Sequence, residues 1–163
     1  MRIKTLWKPS EPLPGELLYS RSEYGFRFRS KDAQRLAADE GGRGFTSVSI
    51  DTLQIEVSVQ TGRALYVWGY EPYTSWRNEN INTPEARPGM VVLQPSEPFE
   101  EGVSLSIPAR HWDRRYDRST GWFVTSPKDL GDAEWHVEIA EGIVLGGSTQ
   151  GVKSVYLRPT FED

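Results

Sequence analysis

Residues 53–70 read LQIEVSVQTGRALYVWGY, and this stretch decides the fold. From Leu53 to Val59 the apolar residues occupy every second position, which is the period expected of a half-buried β-strand. The segment Gln60-Thr61-Gly62 follows, and apolar and aromatic residues resume between Arg63 and Tyr70. A three-residue turn that ends in glycine suits a bulged hairpin, because glycine adopts the left-handed conformation without a Cβ clash. We therefore predict a β-hairpin.

The length of this turn decides which side chains share a face of the hairpin. A two-residue turn at Thr61-Gly62 would place Tyr66 and Trp68 beside the aliphatic side chains, because a shift of one residue moves every side chain to the other face. We favour the three-residue turn, which points the large rings away from the aliphatic core. The pairs that it predicts are Val57 with Leu65, Ile55 with Val67, Glu56 with Tyr66 and Gln54 with Trp68.

The rest of the chain repeats this pattern of short apolar runs separated by turns. Its 15 Gly and 11 Pro interrupt the sequence at short intervals, as in proteins built from many short strands. We predict an all-β, mainly antiparallel fold in one domain spanning residues 1–163, either a two-sheet sandwich or an open barrel of about ten short strands. Besides the hairpin, the predicted strands lie at residues 24–28, 90–93, 103–107, 122–124, 135–139, 143–145 and 152–159.

One helix is predicted, over residues 31–40. Ser30 can cap its first turn, because a serine side chain accepts a hydrogen bond from a backbone N–H that has no partner within the helix. Gly41 follows the last helical residue, where glycine commonly ends a helix in the left-handed conformation. The apolar face of this helix is narrow, with Leu36 as its one large side chain, so the helix must rest against a sheet to be stable.

Composition and charge narrow the functional classes. The chain has no Cys, a net charge of -4 and a pI near 5.3. Nucleic acid is a poor match for such a chain, because basic surfaces recognise it. The glycine-rich segments at residues 41–44 and 146–148 lack the lysine and the spacing of phosphate-binding motifs, so no cofactor is predicted.

The same composition indicates the environment in which the chain works. No stretch approaches the roughly 20 apolar residues of a membrane span. The N-terminus has no apolar run of signal-peptide length. We therefore expect a soluble, cytoplasmic protein that has no membrane partner.

Five aromatic residues form the leading candidate for a binding site. Tyr66, Trp68 and Tyr70 alternate along the second strand of the predicted hairpin. Tyr73 and Trp76 follow in the next loop. Exposed Tyr and Trp side chains offer large, rigid and partly polar surface, which suits a protein partner or the face of a sugar ring. In the alternative, the helix or a proline-rich loop covers the rings, and they form a second small core.

A second candidate surface is rich in arginine and consists of Arg110, Trp112, Arg114 and Arg115. Arginine together with aromatic residues is typical of interface hot spots and of anion recognition. The interleaved acidic residue Asp113 favours a salt-bridged surface segment instead.

Acid–base or metal chemistry would depend on the two His residues of the chain. His111 precedes Asp113 by two positions, and His136 precedes Glu138 by two. Residues two apart on a strand share a face, so each pair could direct an imidazole and a carboxylate at one point. The apolar pattern of residues 135–139 places His136 and Glu138 on the outer face of their strand, so a site shared by both pairs needs a groove there.

These features favour a non-enzymatic binding protein that acts through an aromatic and acidic surface on another protein, and the acidic charge suits a basic partner. A bacterial toxin-immunity protein is one concrete form, by analogy of size and charge alone. One alternative is a β-barrel enzyme or ligand-binding protein that uses the His and carboxylate residues. Another is a carbohydrate-binding module that uses the aromatic residues.

Overall fold

The computed structural model describes residues 3–108, 111–127 and 131–163. Two β-sheets, one of eight strands and one of seven, form a sandwich-like arrangement. One α-helix, α1 (Ala33–Glu40), and one short 3-10 helix (Tyr73–Ser75) connect strands within the described residues. The predicted all-β fold is confirmed.

The strands account for most of the described chain. In chain order they are β1 (Ile3–Pro9), β2 (Gly15–Ser20), β3 (Gly25–Ser30), β4 (Phe45–Ile50), β5 (Leu53–Ser58), β6 (Ala64–Tyr70), β7 (Arg77–Asn78), β8 (Arg87–Pro95), β9 (Leu105–Ser106), β10 (Trp112–Tyr116), β11 (Phe123–Pro127), β12 (Trp135–Ala140), β13 (Ile143–Ser148), β14 (Gly151–Leu157) and β15 (Thr160–Phe161). The eight-stranded sheet has the order β1-β8-β12-β13-β14-β11-β10-β7. The seven-stranded sheet has the order β15-β2-β3-β6-β5-β4-β9.

Both sheets are mixed. Antiparallel pairs form most of each sheet, and parallel pairs join β7 to β10, β8 to β12, β2 to β15 and β4 to β9. Three of these parallel pairs contain a strand of only two residues (β7, β9 or β15) at the edge of its sheet. The long strands therefore follow the predicted antiparallel pattern, and most of the exceptions lie at the edges.

The hairpin of β5 and β6 places the large rings on its outer face, as predicted. Three of the predicted pairs are present, namely Ile55 with Val67, Glu56 with Tyr66 and Gln54 with Trp68. The fourth prediction is wrong, because Val57 faces Ala64 and the register shifts between Glu56 and Val57. The extra residue of the bulge is therefore Leu65, which lies inside β6 and not in the turn.

The turn of this hairpin is also longer than predicted. Ser58 N donates to Arg63 O, and Gly62 N donates to Ser58 O. Gly62 has the predicted left-handed conformation, with φ 77°. Its carbonyl accepts a hydrogen bond of 2.8 Å from Leu93 N of β8, and a Cβ at Gly62 would lie 2.4 Å from Leu93 O. The turn is thus shaped by the other sheet, a contact that the local sequence does not encode.

Helix α1 begins two residues later than predicted, and its cap is Asp32 rather than Ser30. The Asp32 side chain accepts a hydrogen bond from Arg35 N at 2.9 Å, whereas Ser30 Oγ accepts from Asp32 N, outside the helix. Gly41 ends the helix in the left-handed conformation, with φ 84°, as predicted.

Helix α1 rests against the hairpin of β5 and β6. Ser58 Oγ donates to Glu40 O at 2.6 Å, and Arg63 Nη1 forms an ion pair of 3.3 Å with Asp39. Desolvation of the Arg63 guanidinium lowers its pKa.

In the described parts of the chain, no helix has the length and apolar content of a membrane-spanning segment.

The structure has more strands than the predicted ten. No strand was predicted at β1, β2, β4, β7, β10 or β15, although Thr46, Val48 and Ile50 are buried at alternating positions of β4. The strand predicted over residues 103–107 is reduced to β9, and Val103 is exposed. Tyr24 was expected to begin a strand, but it lies in a turn with φ 57°.

Both sheets contribute to one cluster of buried apolar side chains. Its largest members include Tyr19 of β2 and Phe123 of β11, which are fully buried. Phe26 of β3 connects them, with ring centroids 4.7 Å from Tyr19 and 5.5 Å from Phe123. Aromatic rings of this size fill the interior with few residues, which accounts for a stable core in a chain with 37% hydrophobic residues.

Candidate functional site

The outer face of β6 presents two exposed aromatic side chains. Trp68 is 40% exposed and Tyr70 is 51% exposed, while Ile55 and Val67 on the opposite face are fully buried. This separation follows from the alternation of side chains along a strand. The predicted outward direction of the rings therefore holds for these two residues.

Tyr66, the third aromatic residue of β6, is half-buried. Its ring stacks on Phe28 with a centroid distance of 5.3 Å. Burial, followed by the nearby carboxylates of Glu56 and Glu40, raises the pKa of Tyr66 to about 12. The predicted alternative of covered rings thus applies in part to Tyr66, which packs on Phe28, and not to Trp68.

Glu56 fixes the orientation of the neighbouring rings. Its carboxylate accepts a hydrogen bond of 3.1 Å from Trp68 Nε1 and one of 3.5 Å from the Tyr66 hydroxyl. The Glu56 side chain is buried, and this desolvation raises its pKa. Trp68 is therefore exposed and yet held in one orientation.

A first groove of about 260 Å³ lies between Trp68 and Tyr70. Gly69, which separates the two aromatic residues, has φ 133° and lies so close to the β4–β5 turn that a Cβ would come within 2.6 Å of Thr52 O. Charged side chains also line this groove: Arg27 forms an ion pair of 2.9 Å with Glu162. The first groove thus combines two aromatic walls with a polar rim.

Tyr73 lies beyond the end of β6 and is also exposed, at 39%. It contacts Tyr24 with a centroid distance of 5.9 Å, and Tyr24 contacts Tyr70 edge to face at 6.1 Å. Tyr24, which was predicted as part of a strand, therefore links Tyr70 and Tyr73, and Trp68 adjoins Tyr70 at the first groove. We call Tyr24, Trp68, Tyr70 and Tyr73 the aromatic face.

Trp76, in contrast, packs into the edge of the core. Its ring centroid lies 4.9 Å from Tyr19 and 4.8 Å from Phe123, so it contacts both sheets. Its Nε1 is buried and has no hydrogen-bond partner within the described residues. The prediction of an exposed anchor at Trp76 does not match this position.

A second groove of about 310 Å³ begins where Tyr73 and Trp76 meet the edges of the two sheets. Its other lining residues are Arg21, Asn78, Tyr116, Arg118 and Phe161. The Arg21 guanidinium lies 4.2 Å from the centroid of the Phe161 ring, a cation–π distance. Arg21 and Glu23 belong to the β2–β3 turn, and Glu23 lines the first groove, so this turn contributes to both grooves.

The β2–β3 turn is held in place by the residue Asp163. The Asp163 carboxylate accepts hydrogen bonds from Arg21 N at 2.6 Å, Ser22 N at 3.1 Å and Ser22 Oγ at 2.7 Å. These donors lower the pKa of Asp163 to about 2. The turn between the two grooves is therefore ordered by an ionised carboxylate.

A buried carboxylate also supports the loop that carries Tyr73. Glu71 N donates to Tyr24 O at 2.7 Å, and the Tyr19 hydroxyl donates to Glu71 O at 2.6 Å. The Glu71 carboxylate forms an ion pair with Arg114. Burial raises the pKa of Glu71, and the Arg114 charge opposes that shift.

The arginine-rich surface predicted at residues 110–115 does not form one surface. Arg110 lies outside the described residues. Trp112 is 6% exposed and belongs to the core. Arg114 pairs with Glu71 and Asp51, whereas Arg115 lines a different groove on the outer face of the eight-stranded sheet.

The two His and carboxylate pairs are not brought together. Asp113 lies on β10 and His136 on β12, with β11, β14 and β13 between them, which separates them by about 19 Å at about 4.8 Å per strand. His111 is exposed, and the Asp113 carboxylate accepts hydrogen bonds from Arg77. Burial raises the pKa of Glu138. Within residues 3–108, 111–127 and 131–163, no group of three or more His, Cys, Asp or Glu side chains is placed to hold a metal ion.

Two residues of the candidate site were not identified from the sequence. Tyr24 was interpreted through its alternation with Phe26, which suggested a strand. The sequence Ser-Glu-Tyr-Gly before β3 contained a signal for a turn, because glycine follows the tyrosine. No sequence pattern indicated Arg21, because its position beside Phe161 depends on the pairing of β2 with β15.

Comparison with known proteins assigns no family to this surface. No protein-family model matches the chain, and no curated protein is significantly similar to it in sequence. The aromatic face and its two grooves are therefore the features from which a function can be inferred.

Proposed function

We propose that the chain is a non-enzymatic binding protein that recognises another protein through the aromatic face. The supporting observation is the exposure of Trp68, Tyr70 and Tyr73 on adjoining surface. Five large hydrophobic side chains are exposed among the described residues, and these three belong to that set; the other two are Phe45 and Val103. Clustered exposed apolar residues mark interaction sites more often than isolated ones do.

The surroundings of these rings suit them to binding. Glu56 holds Trp68 through its indole N–H, and Tyr24 contacts both Tyr70 and Tyr73. Side chains that are already ordered lose less conformational entropy when a partner binds. Trp and Tyr are also the residues that most often dominate binding energy at interfaces.

Electrostatics favour a basic partner at long range. The net charge of -4 attracts a positively charged protein during approach. Close to the aromatic face the charges have both signs, since Arg27 and Glu162 pair at the first groove and Arg21 and Arg118 line the second. The net charge would thus affect the association rate, while the rings contribute most of the affinity. A cytoplasmic toxin-immunity protein is the concrete form of this proposal.

Site-specific crosslinking tests the proposal. A photoreactive phenylalanine analogue is placed at Tyr70 and, as a matched control, at Phe45, which is similarly exposed on the same sheet. We expect a protein from the native cells to crosslink to position 70 and not to position 45. The affinity of the identified protein for Trp68→Ala and Tyr70→Ala variants should then fall at least about tenfold, the scale of an interface hot spot, while Phe45→Ala binds normally.

Two results would contradict this proposal. If the crosslinked protein bound Trp68→Ala and Tyr70→Ala as tightly as the unaltered chain, the aromatic face would not be its docking site. If a glycan array instead showed binding that both variants lose, the same surface would recognise carbohydrate, since exposed rings also stack on sugars.

A further inference from the structure

A third groove, of about 490 Å³, lies on the outer face of the eight-stranded sheet. Its described lining includes the small residues Ser126 of β11 and Ser154 of β14, which lie on adjacent strands, and His136 of β12. Larger side chains also line it, namely Arg115 of β10 and Tyr156 of β14. The groove thus lies where small residues of the sheet adjoin larger ones.

Gly146 of β13 pairs with His136 and Ser154, and these two side chains occupy the space over it beside the third groove. A Cβ at this position would lie 2.2 Å from Ser154 Oγ and 3.1 Å from His136 Nε2. The serine hydroxyl and the imidazole therefore point toward the same space. Burial lowers the pKa of His136, so its imidazole is neutral near pH 7 and can donate one hydrogen bond.

Two buried polar atoms in the groove lack a partner. Ser154 is 6% exposed, and its Oγ has no hydrogen-bond partner among the residues that the structure describes. The same holds for Arg115 Nε, although Arg115 Nη1 lies 3.8 Å from Glu79. Buried polar groups in folded proteins nearly always have a partner, so two such groups in residues that line one groove favour a ligand there that supplies acceptors.

The charge of the third groove determines the kind of ligand. Arg115 and Lys153 contribute positive charge, and Lys153 Nζ donates to Asp132 O at 3.0 Å. Asp132 is the one acidic residue among its described lining residues. The groove is therefore cationic on a chain whose net charge is negative. A planar guanidinium matches the paired oxygens of a phosphate or carboxylate.

We propose that the third groove binds a small organic oxyanion, through a phosphate or carboxylate group held by Arg115, Lys153 and Ser154. The groove volume exceeds that of the anionic group alone and accommodates further atoms of the ligand beside Tyr156 and His136. This site is separate from the aromatic face, because it lies on the other sheet. A negative result for anion binding would therefore leave the protein-binding proposal unaffected, and the reverse also holds.

Binding is measured on the full chain by amide chemical shifts during titration with inorganic phosphate, with succinate and with sodium chloride at matched ionic strength. We expect saturable shifts at Gly146, Ser154 and Tyr156 with phosphate or succinate and not with chloride. The tighter of the two probes identifies the anionic group. Saturable shifts confined to the second groove, or none with either probe, would overturn the proposal.

Variants distinguish a specific anion-binding site from nonspecific attraction by positive charge. Arg115→Gln and Lys153→Gln should each weaken binding at least tenfold. Arg158→Gln removes the same charge from an exposed position just after β14 that does not line the groove, and it should change the affinity less than twofold. An equal loss in all three variants would show charge attraction without a site.

A second variant keeps the test valid if Arg115→Gln fails to fold. Ser154→Ala removes the hydroxyl proposed to bind the anion and leaves both cations in place. This variant should weaken binding about tenfold, the scale of a hydrogen bond to a charged group. Unchanged binding would place the anion elsewhere on the protein.

Discussion

At the scale of single residues, Glu56 links the stability of the fold to the orientation of Trp68. Burial raises the pKa of Glu56 above that of the unfolded chain, so the folded protein binds this proton more tightly. The folded state therefore loses stability as the pH rises through the folded pKa of Glu56. Glu56→Gln retains an acceptor for Trp68 Nε1 without a buried charge, and we expect it to be more stable than the unaltered chain at pH 7 but not at pH 4. Urea unfolding at both pH values measures this, with exposed Glu97→Gln as the control, and a loss of stability at pH 7 would contradict it.

At the scale of elements, the N-cap of α1 stabilises the helix that rests against β5 and β6. The Asp32 side chain accepts from Arg35 N, so Asp32→Ala should lower the free energy of unfolding by about 1 kcal/mol, the usual effect of losing an N-cap. Ser30→Ala should cost less, because the hydrogen bond at Ser30 lies before the helix. Lys31→Ala changes a neighbouring exposed residue and serves as the control in thermal unfolding. A larger effect of Ser30→Ala than of Asp32→Ala would restore Ser30 as the cap.

At the scale of the whole molecule, the two sheets are joined at one edge by Trp76, which contacts Tyr19 of one sheet and Phe123 of the other. Truncation of a large aromatic side chain in a core costs about 3–5 kcal/mol, so Trp76→Ala should destabilise the fold by roughly 3 kcal/mol. Trp68→Ala removes the same side chain from the outer face and should cost about 1 kcal/mol or less. Urea unfolding of this matched pair distinguishes a core tryptophan from a binding tryptophan, and equal losses would contradict the assignment.

Local alternation predicted the strands of residues 53–70 and the outward direction of Trp68, because both depend on a period of two along the chain. It could not predict that Tyr66 is half-buried, because its ring stacks on Phe28 of β3, which lies 38 residues earlier in the chain. The same limit applied to Trp76, whose aromatic neighbours come from β2, β3, β10 and β11.

The amino-acid sequence by itself determined the all-β class, the hairpin and the face on which each side chain of β6 lies, since these follow from the spacing of apolar residues and the conformation of glycine. Only the tertiary structure decided which rings remain exposed and that Asp113 and His136 lie on strands far apart. It also brought Arg115, His136, Lys153 and Ser154 to one groove. The physical reason is that exposure and clustering depend on which strands become neighbours, and β10, β14, β13 and β12 are brought together by hydrogen bonds between distant segments of the chain.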